Sequence, residues 1–244
     1  MRKIMKEHMK IETHPAACAG NIIQGDCYRI TVLTSRLLRL EYSEDGVFND
    51  AATQTVLNRD FPEVTYQLKE TDDELQLMTE HIQLNYDKQK FTSHGLSCKC
   101  LGVNVSYFSR TWYFGETEEP EGLQLNLKGT ARTLDMVNGA CELEDGIMSR
   151  SGYAVLDDSS SLLLTDDGFV APRKKGTHDL YFFGYGHDYL GALKDFYYLC
   201  GKTPMLPRFA LGNWWSRYYQ YTEESYMELM ERFDGAQIPF TVAV

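Results

Sequence analysis

The stretch GNWWSRYYQY, residues 212–221, places two Trp, three Tyr and one Arg next to one another. Aromatic rings pack against the C–H faces of a pyranose ring, and Tyr hydroxyls and Arg donors form hydrogen bonds with hydroxyl groups. These residue types predict a sugar-recognition site with Trp215, Arg217 and Tyr219 in its wall. The competing interpretation is that the Trp side chains fill a core. Because side chains alternate along a strand, at least one of Trp214 and Trp215 is expected to pack.

The elements around this stretch predict a strand–helix–strand unit. RFALGNWW is typical of a strand, and IPFTVAV of a second strand. TEESYMELMERFDG between them has apolar residues spaced by three and four, which predicts a helix with Thr222 as its N-cap and Gly235 at its end. Such a unit has parallel strands joined by a right-handed connection.

A lone unit of this kind is too small to form a domain, since one sheet face and an edge stay uncovered. We therefore expect the chain to be a fragment of a larger α/β domain. The exposed edge predicts self-association, or disorder over the last ~40 residues, because so little apolar surface is buried.

The preceding part of the chain predicts an antiparallel β-sandwich. Short runs rich in Leu, aromatic or β-branched residues, such as CYRITVL, LLRLEYS, EVTYQLK, ELQLMT, HIQLNYD, SGYAVLDD and SLLLT, alternate with turn clusters. HDYLGALKDFYYLCG, residues 187–201, then predicts a mostly buried helix that ends near Gly201.

Composition excludes several classes of partner. The chain has 24 Lys and Arg against 35 Asp and Glu, a net charge of −11, so it repels phosphate backbones and nucleic acid is not expected as a partner. No run approaches the ~20 apolar residues of a membrane span, which predicts no membrane association and a cytoplasmic location. The six scattered Cys are expected to be free thiols, and CKC at 98–100 to be structural. No metal and no other cofactor is predicted.

Several segments, in this order, resemble glycoside hydrolase family 31, the α-glucosidase and α-xylosidase family. LRLEYSEDGVFNDAATQTVLNRDFP, YFGETEEPEGLQLNLKGTARTLD (113–135) and EDGIMSRSGYAVLDDS resemble its N-terminal domain. RFALGNWWSRYYQYTEESYMELMERFDGAQIPFTVAV resembles the first strand, first helix and second strand of its catalytic barrel. The likeness covers most of the chain from about residue 25.

The resemblance implies a mainly β fold: a galactose-mutarotase-like antiparallel β-sandwich followed by the truncated start of a (β/α)₈ barrel. It implies a sandwich domain at residues 1–186, a helix and connector at 187–207, and the first strand, helix and second strand of the barrel at 208–244. Family members carry the nucleophile in an aromatic-x-Asp-Met-Asn-Glu segment, and no such segment is present here. We therefore expect no catalytic residue in this chain, and no activity from it alone.

The resemblance also assigns roles in the sandwich. Asp135 is expected on a loop that reaches the barrel mouth and binds a sugar hydroxyl, although an Asp before MVNGA also suits a turn. Glu116 is expected to brace that loop, and the cluster ETEEPE (116–121) to be a solvated turn. His178 and His187, which flank DLYFFGYG, are expected to be packed residues.

Three functional hypotheses follow from these observations. The first is the N-terminal part of a retaining α-glycosidase that acts on α-linked glucosides or xylosides. The alternative is a non-catalytic carbohydrate-binding β-sandwich with the aromatic stretch as its binding face. A mutarotase-like epimerase is the third, since a His pair can transfer protons at an anomeric carbon.

Overall fold

Two compact units make up the chain, Met1–Lys202 and Thr203–Val244. The structure, a computed structural model, describes residues 5–102, 111–116, 125–131, 133 and 135–244. The predicted 187–207 segment is divided between the units. Its helix belongs to the first unit and its Pro-bearing end to the second.

Fourteen strands and two α-helices lie in the described residues. The strands are β1 Ile22–Gln24, β2 Tyr28–Thr34, β3 Leu37–Tyr42, β4 Gln67–Glu70, β5 Leu75–Met78, β6 Ile82–Tyr86, β7 Leu96–Cys100, β8 Thr111–Tyr113, β9 Ala154–Asp157, β10 Leu163–Leu164, β11 Val170–Ala171, β12 His178–Phe183, β13 Trp214–Trp215 and β14 Val242–Ala243. The helices are α1 Tyr189–Leu199 and α2 Glu223–Gly235, with short 3₁₀ helices at Glu7–Met9, Ala19–Asn21 and Arg208–Leu211. None of the helices described is long and apolar enough to cross a lipid bilayer.

The first unit is an antiparallel β-sandwich, as the sequence predicts. One five-stranded sheet has the order β1-β2-β3-β12-β9, and the other has the order β4-β5-β6-β7-β8. One cluster of buried residues contains side chains from both sheets. Tyr28 meets Tyr86 across the interface at 5.1 Å between ring centroids, and Trp112 meets Phe182 at 5.8 Å. The mainly β fold class is thus confirmed.

Period-two alternation explains how the sheets pack. In β7 the side chains of Leu96, Cys98 and Cys100 point into the shared core, while Ser97 and Lys99 face away. The CKC pair is therefore structural, as expected, and burial raises the pKa of the Cys100 thiol to about 12. Both Cys behave as small apolar residues in this position.

The outer face of the first sheet carries a buried network of charges. The guanidinium of Arg39 donates from Nε and Nη2 to the two carboxylate oxygens of Asp179, each at 2.8 Å. Arg29 donates in the same two-point manner to Glu41, at 2.6 and 2.9 Å. Arg173 adds a further bond to Asp179 at 2.6 Å. Arg29, Arg39, Glu41 and Asp179 are buried and lie on strands that also line the core, so the sheet is covered on both faces here.

Helix α1 covers the other end of that outer face, and only one side of it is buried. Ala192 and Leu199 join a second core cluster with Phe183, whereas Leu190 is 80% exposed and Tyr197 is 48% exposed. The prediction of a mostly buried helix is therefore wrong. Its mixed apolar spacing leaves large side chains on the solvent side. Ala192 and Leu199, two turns apart, lie on the side that faces the sheet.

The second unit is the predicted strand–helix–strand. β13 and β14 are parallel, with Trp214 opposite Val242, and α2 connects them. Thr222 caps α2, and its side chain accepts from the N–H of Ser225. The first strand is shorter than RFALGNWW predicts, because Arg208–Leu211 forms a 3₁₀ turn after Pro207, whose fixed φ favours a turn.

Apolar side chains are widely exposed in this second unit. Met205, Leu211 and Tyr218 are 96%, 75% and 109% exposed. Such exposure suits an interaction surface. Self-association of the free chain stays a prediction.

Candidate functional site

The aromatic stretch leaves the sheet at the carboxyl ends of two parallel strands. The N–H of Val244 donates to the carbonyl of Trp215 at 3.0 Å, so β13 and β14 end at the same edge. Residues 216–221 continue from that edge. In open parallel sheets and in barrels, ligands bind outside the carboxyl ends of the strands.

The two Trp side chains have different surroundings, as strand alternation predicts. Trp215 is half-buried, and its ring centroid lies 5.3 Å from that of Phe233 and 6.1 Å from that of Tyr226, both on α2. Trp214 is 54% exposed, and its indole N–H donates to the carbonyl of Ala210 at 3.1 Å. The ring contacts of Trp215 favour a packing role, so its place in a sugar-binding wall stays a prediction.

Arg217 and Tyr219 form an exposed pair in this stretch. The guanidinium carbon of Arg217 lies 4.5 Å from the centroid of the Tyr219 ring, within cation–π distance. Tyr219 is 60% exposed, and no acidic partner of Arg217 is present in the part of the chain that the structure describes. The pair thus offers an aromatic face with guanidinium donors over it.

Tyr221, which the sequence pattern does not single out, packs beside Tyr219 at the end of the aromatic stretch. Its ring centroid lies 4.8 Å from that of Tyr219 and 6.2 Å from that of Trp215. Its hydroxyl is buried and has no hydrogen-bond partner among the described residues. A buried polar atom without a partner is costly, which marks this hydroxyl as a candidate ligand contact. Only the aromatic spacing of the stretch signals it in the sequence.

Asp135 lies in a connection of the first unit. Backbone hydrogen bonds from Leu127 to Met148 and from Gly129 to Glu144 pair the two segments that it joins. Asp135 is exposed, and its N–H donates to the hydroxyl of Thr133 at 3.1 Å. The structure therefore leaves its carboxylate accessible from solvent. Its contact with a sugar stays a prediction.

Of the acidic cluster ETEEPE, the structure describes Glu116. Glu116 closes a turn after β8, since its carboxylate accepts from the N–H of Tyr113 at 3.2 Å. The rest of the ETEEPE cluster, 117–121, lies outside the described residues. Among the residues that are described, no group of His, Cys, Asp and Glu could hold a metal ion.

The two His considered for an epimerase lie at opposite ends of β12. His178 begins the strand opposite Tyr42, and His187 follows its far end, near the carbonyl of Arg150. Five steps of ~3.3 Å separate the ends of the strand alone. A proton-transfer pair at one anomeric carbon needs both side chains within hydrogen-bond reach, so this arrangement argues against the epimerase hypothesis.

His178 instead makes aromatic contacts, and its titration makes the stability of the fold depend on pH. It stacks on Phe91 at 6.0 Å and meets Phe114 edge-on at 5.1 Å. Burial and, less strongly, the charge of Lys90 lower its pKa against the opposing effect of Asp157. The unfolded chain therefore binds more protons below the ordinary His value, and the contribution of His178 to stability is lost as pH falls through that range.

We expect His178→Phe to flatten the dependence of stability on pH between about 7 and 5, because the ring contacts remain while the titration is removed. Urea midpoints of the variant and the wild type at both pH values measure this. The exposed His94 supplies the matched variant, His94→Phe. Equal slopes in all three proteins would contradict the assignment.

The fold is similar to that of known glycoside hydrolases. A family 31 α-xylosidase from a soil metagenome, complexed with xylose, matches with a TM-score of 0.53 and 15% identity over 91% of this chain and 39% of its own. A family 31 α-xylosidase from Xanthomonas citri matches with a TM-score of 0.48 and 11% identity over 92% of this chain and 44% of its own. A family 31 dextranase from Flavobacterium johnsoniae matches with a TM-score of 0.48 and 16% identity over 91% of this chain and 31% of its own.

Sequence comparison finds no match, neither to a family model nor to a curated protein. The chain spans less than half the length of each of these three enzymes. The similarity to the soil-metagenome enzyme concerns the fold, at 15% identity. The resemblance indicated by the sequence motifs is thus confirmed at the level of structure: the chain shares its fold with about two fifths of a family 31 α-xylosidase.

Proposed function

We propose that this chain forms the β-sandwich and the first strand–helix–strand of the catalytic barrel in a retaining α-glycosidase of family 31. The substrates are α-linked glucosides or xylosides. The observation that carries the proposal is the parallel β13–β14 pair with Arg217, Tyr219 and Tyr221 at its carboxyl edge, in a chain whose fold matches that of an α-xylosidase.

Each residue has a distinct role in this proposal. Tyr219 presents a ring face to the pyranose, and Arg217 and Tyr221 donate hydrogen bonds to its hydroxyls. Trp215 holds the stretch in place through its contact with Phe233. Asp135 accepts a hydrogen bond from a sugar hydroxyl. The nucleophile and the acid/base carboxyl, which must lie about 5 Å apart in a retaining enzyme, come from residues outside this chain.

A variant at Asp135 tests the loop assignment. In a polypeptide that carries this chain and a complete barrel, we expect Asp135→Asn to lower kcat/KM for an α-xyloside or α-glucoside by about 10- to 100-fold. A hydrogen bond to a charged group contributes about 1.5–3 kcal/mol, which corresponds to that loss. Initial rates at substrate concentrations well below KM measure it.

Glu142→Gln is the matched control, because Glu142 is also an exposed carboxylate on the 131–143 loop. It should leave kcat/KM unchanged. Equal effects of the two substitutions would show that Asp135 has no specific contact with the sugar.

The alternative function is a non-catalytic carbohydrate-binding module with the aromatic stretch as its face, which the exposure of Tyr219 favours. This module would bind sugar as the isolated 244-residue chain. Loss of that binding in Tyr219→Ala, with no hydrolysis by any longer polypeptide, would favour the module over the glycosidase.

A further inference from the structure

A cleft opens at one end of the sandwich, and none of the residues discussed above as substrate contacts is among those that line it. Its walls are residues 33–35 at the end of β2, 62–67 leading into β4, and 78–80 at the end of β5. The volume is about 650 Å³. Small-molecule sites are usually of about 300–1,000 Å³, so this cleft has the size of one.

Hydrogen bonds fix the walls of the cleft in place. The side chain of Asn21 donates to the carbonyl of Pro62 and accepts from the N–H of Val64, both at 2.9 Å. The hydroxyl of Thr79 donates to the carbonyl of Ser35 at 2.7 Å and so links the other two walls. Asn21 and Thr79 are both buried. The cleft is therefore preformed, and a ligand would not have to order it.

The cleft wall 62–67 includes the first half of EVTYQLK, which the sequence predicts as a strand. Residues 63–66 are in no strand, with Val64 and Tyr66 packed against the core, and of this wall only Gln67 is part of β4. Glu63, Thr65 and Gln67 are exposed on this wall, and Glu80 is exposed on the wall opposite. None of these four side chains has a Lys or Arg partner in the described part of the chain, and Glu80 lies 3.8 Å from Nε2 of His81.

The polar groups and the floor together define the ligand chemistry. Two carboxylates, an amide and a hydroxyl supply mainly acceptors, and Leu33, Val64 and Met78 also line the cleft. The described residues that line the cleft include no Lys, Arg or His, which disfavours phosphates and other anions. Hydroxyl donors around an apolar ring face match this arrangement, because carboxylates accept strongly from hydroxyls.

We propose that this cleft binds neutral carbohydrate, as a second sugar site separate from the aromatic stretch. The inference rests on the proposed function for the choice of α-linked sugars as ligands. In a glycosidase, such a site would hold a distant part of a long substrate and raise its local concentration at the barrel.

Binding by the 244-residue chain tests this directly, without any need for catalysis. Maltotriose and isomaltotriose are titrated against the labelled protein, and amide chemical shifts are followed by NMR. We expect shifts at 63–67 and 78–80, with a dissociation constant of roughly 1 mM or below. The double variant Glu63→Ala/Glu80→Ala should weaken binding by about tenfold or more. The single variant Thr65→Ala should weaken it by a smaller factor.

The control Glu74→Ala removes an exposed carboxylate from the turn that joins β4 and β5, and it should not change the affinity. Absence of binding, or binding that Tyr219→Ala abolishes and the cleft variants leave intact, would overturn the proposal. The proposal would also be overturned if the chain bound a diamine such as putrescine in a salt-sensitive manner and bound neither trisaccharide. None of these outcomes depends on hydrolysis. The proposal of a sugar site in the cleft and the proposal of a glycosidase can therefore be refuted independently.

Discussion

Replacement of Arg39 with Met is expected to lower the free energy of unfolding of the sandwich unit by about 3–5 kcal/mol. Arg39 is 2% exposed and binds both oxygens of Asp179, and Oε1 of Glu41 lies 3.0 Å from its Nη2. Met has a similar length but no charge. The substitution therefore leaves two buried carboxylates with fewer cations to stabilise them.

The cost arises mainly from the carboxylates that remain. Burial by itself raises the pKa of Asp179, but the charges of Arg39 and Arg173 outweigh burial and hold that pKa below its usual range. Without Arg39, Asp179 must stay charged with one cation fewer or take up a proton. A buried charge that loses its partner costs several kcal/mol, whereas an intact pair contributes little net stability.

Urea unfolding followed by fluorescence measures this effect. The matched control is Lys90→Met, because Lys90 pairs with Glu44 at 2.7 Å while its side chain is 63% exposed. We expect that control to change stability by less than about 1 kcal/mol. Similar losses in both variants would show that the charges on the sheet are accessible to water, contrary to the structure.

The pattern of apolar runs predicts the sandwich because it reports which side chains face a core, yet it does not reveal the charge network. Alternation in CYRITVL and LLRLEYS places Arg29, Arg39 and Glu41 on one face, which is typical of a face exposed to water. In the structure this face is buried, and Arg39 pairs there with Asp179, which is 140 residues away along the chain. Pairing between distant strands has no local signature in a sequence.

The candidate site was predictable in its residue types but not in its geometry. Adjacent aromatic residues and one Arg indicate the stretch, and the helix pattern after Thr222 predicts the parallel strands that position it. The unpartnered hydroxyl of Tyr221 depends on how three rings pack, which spacing along the chain does not encode. The cleft is likewise formed by turns and strand ends that are far apart in sequence.

The second large effect concerns catalysis. We expect the 244-residue chain to hydrolyse neither an α-xyloside nor an α-glucoside above the spontaneous rate, because the residues at the β13–β14 edge, 212–221, include no carboxylate. Retaining hydrolysis needs two carboxyl groups on opposite sides of the scissile bond, one as the nucleophile and one as the acid/base. A polypeptide in which the chain continues through a complete barrel should reach a kcat/KM in the usual enzymatic range of about 10⁴–10⁸ M⁻¹s⁻¹.

The most direct measurement is the release of p-nitrophenol from p-nitrophenyl α-xyloside and α-glucoside by these two proteins under the same conditions. The account predicts hydrolysis by the longer protein only. Hydrolysis by the 244-residue chain would mean that its own carboxylates perform the chemistry, and inactivity of a folded longer protein on both substrates would contradict the assignment as part of an α-glycosidase.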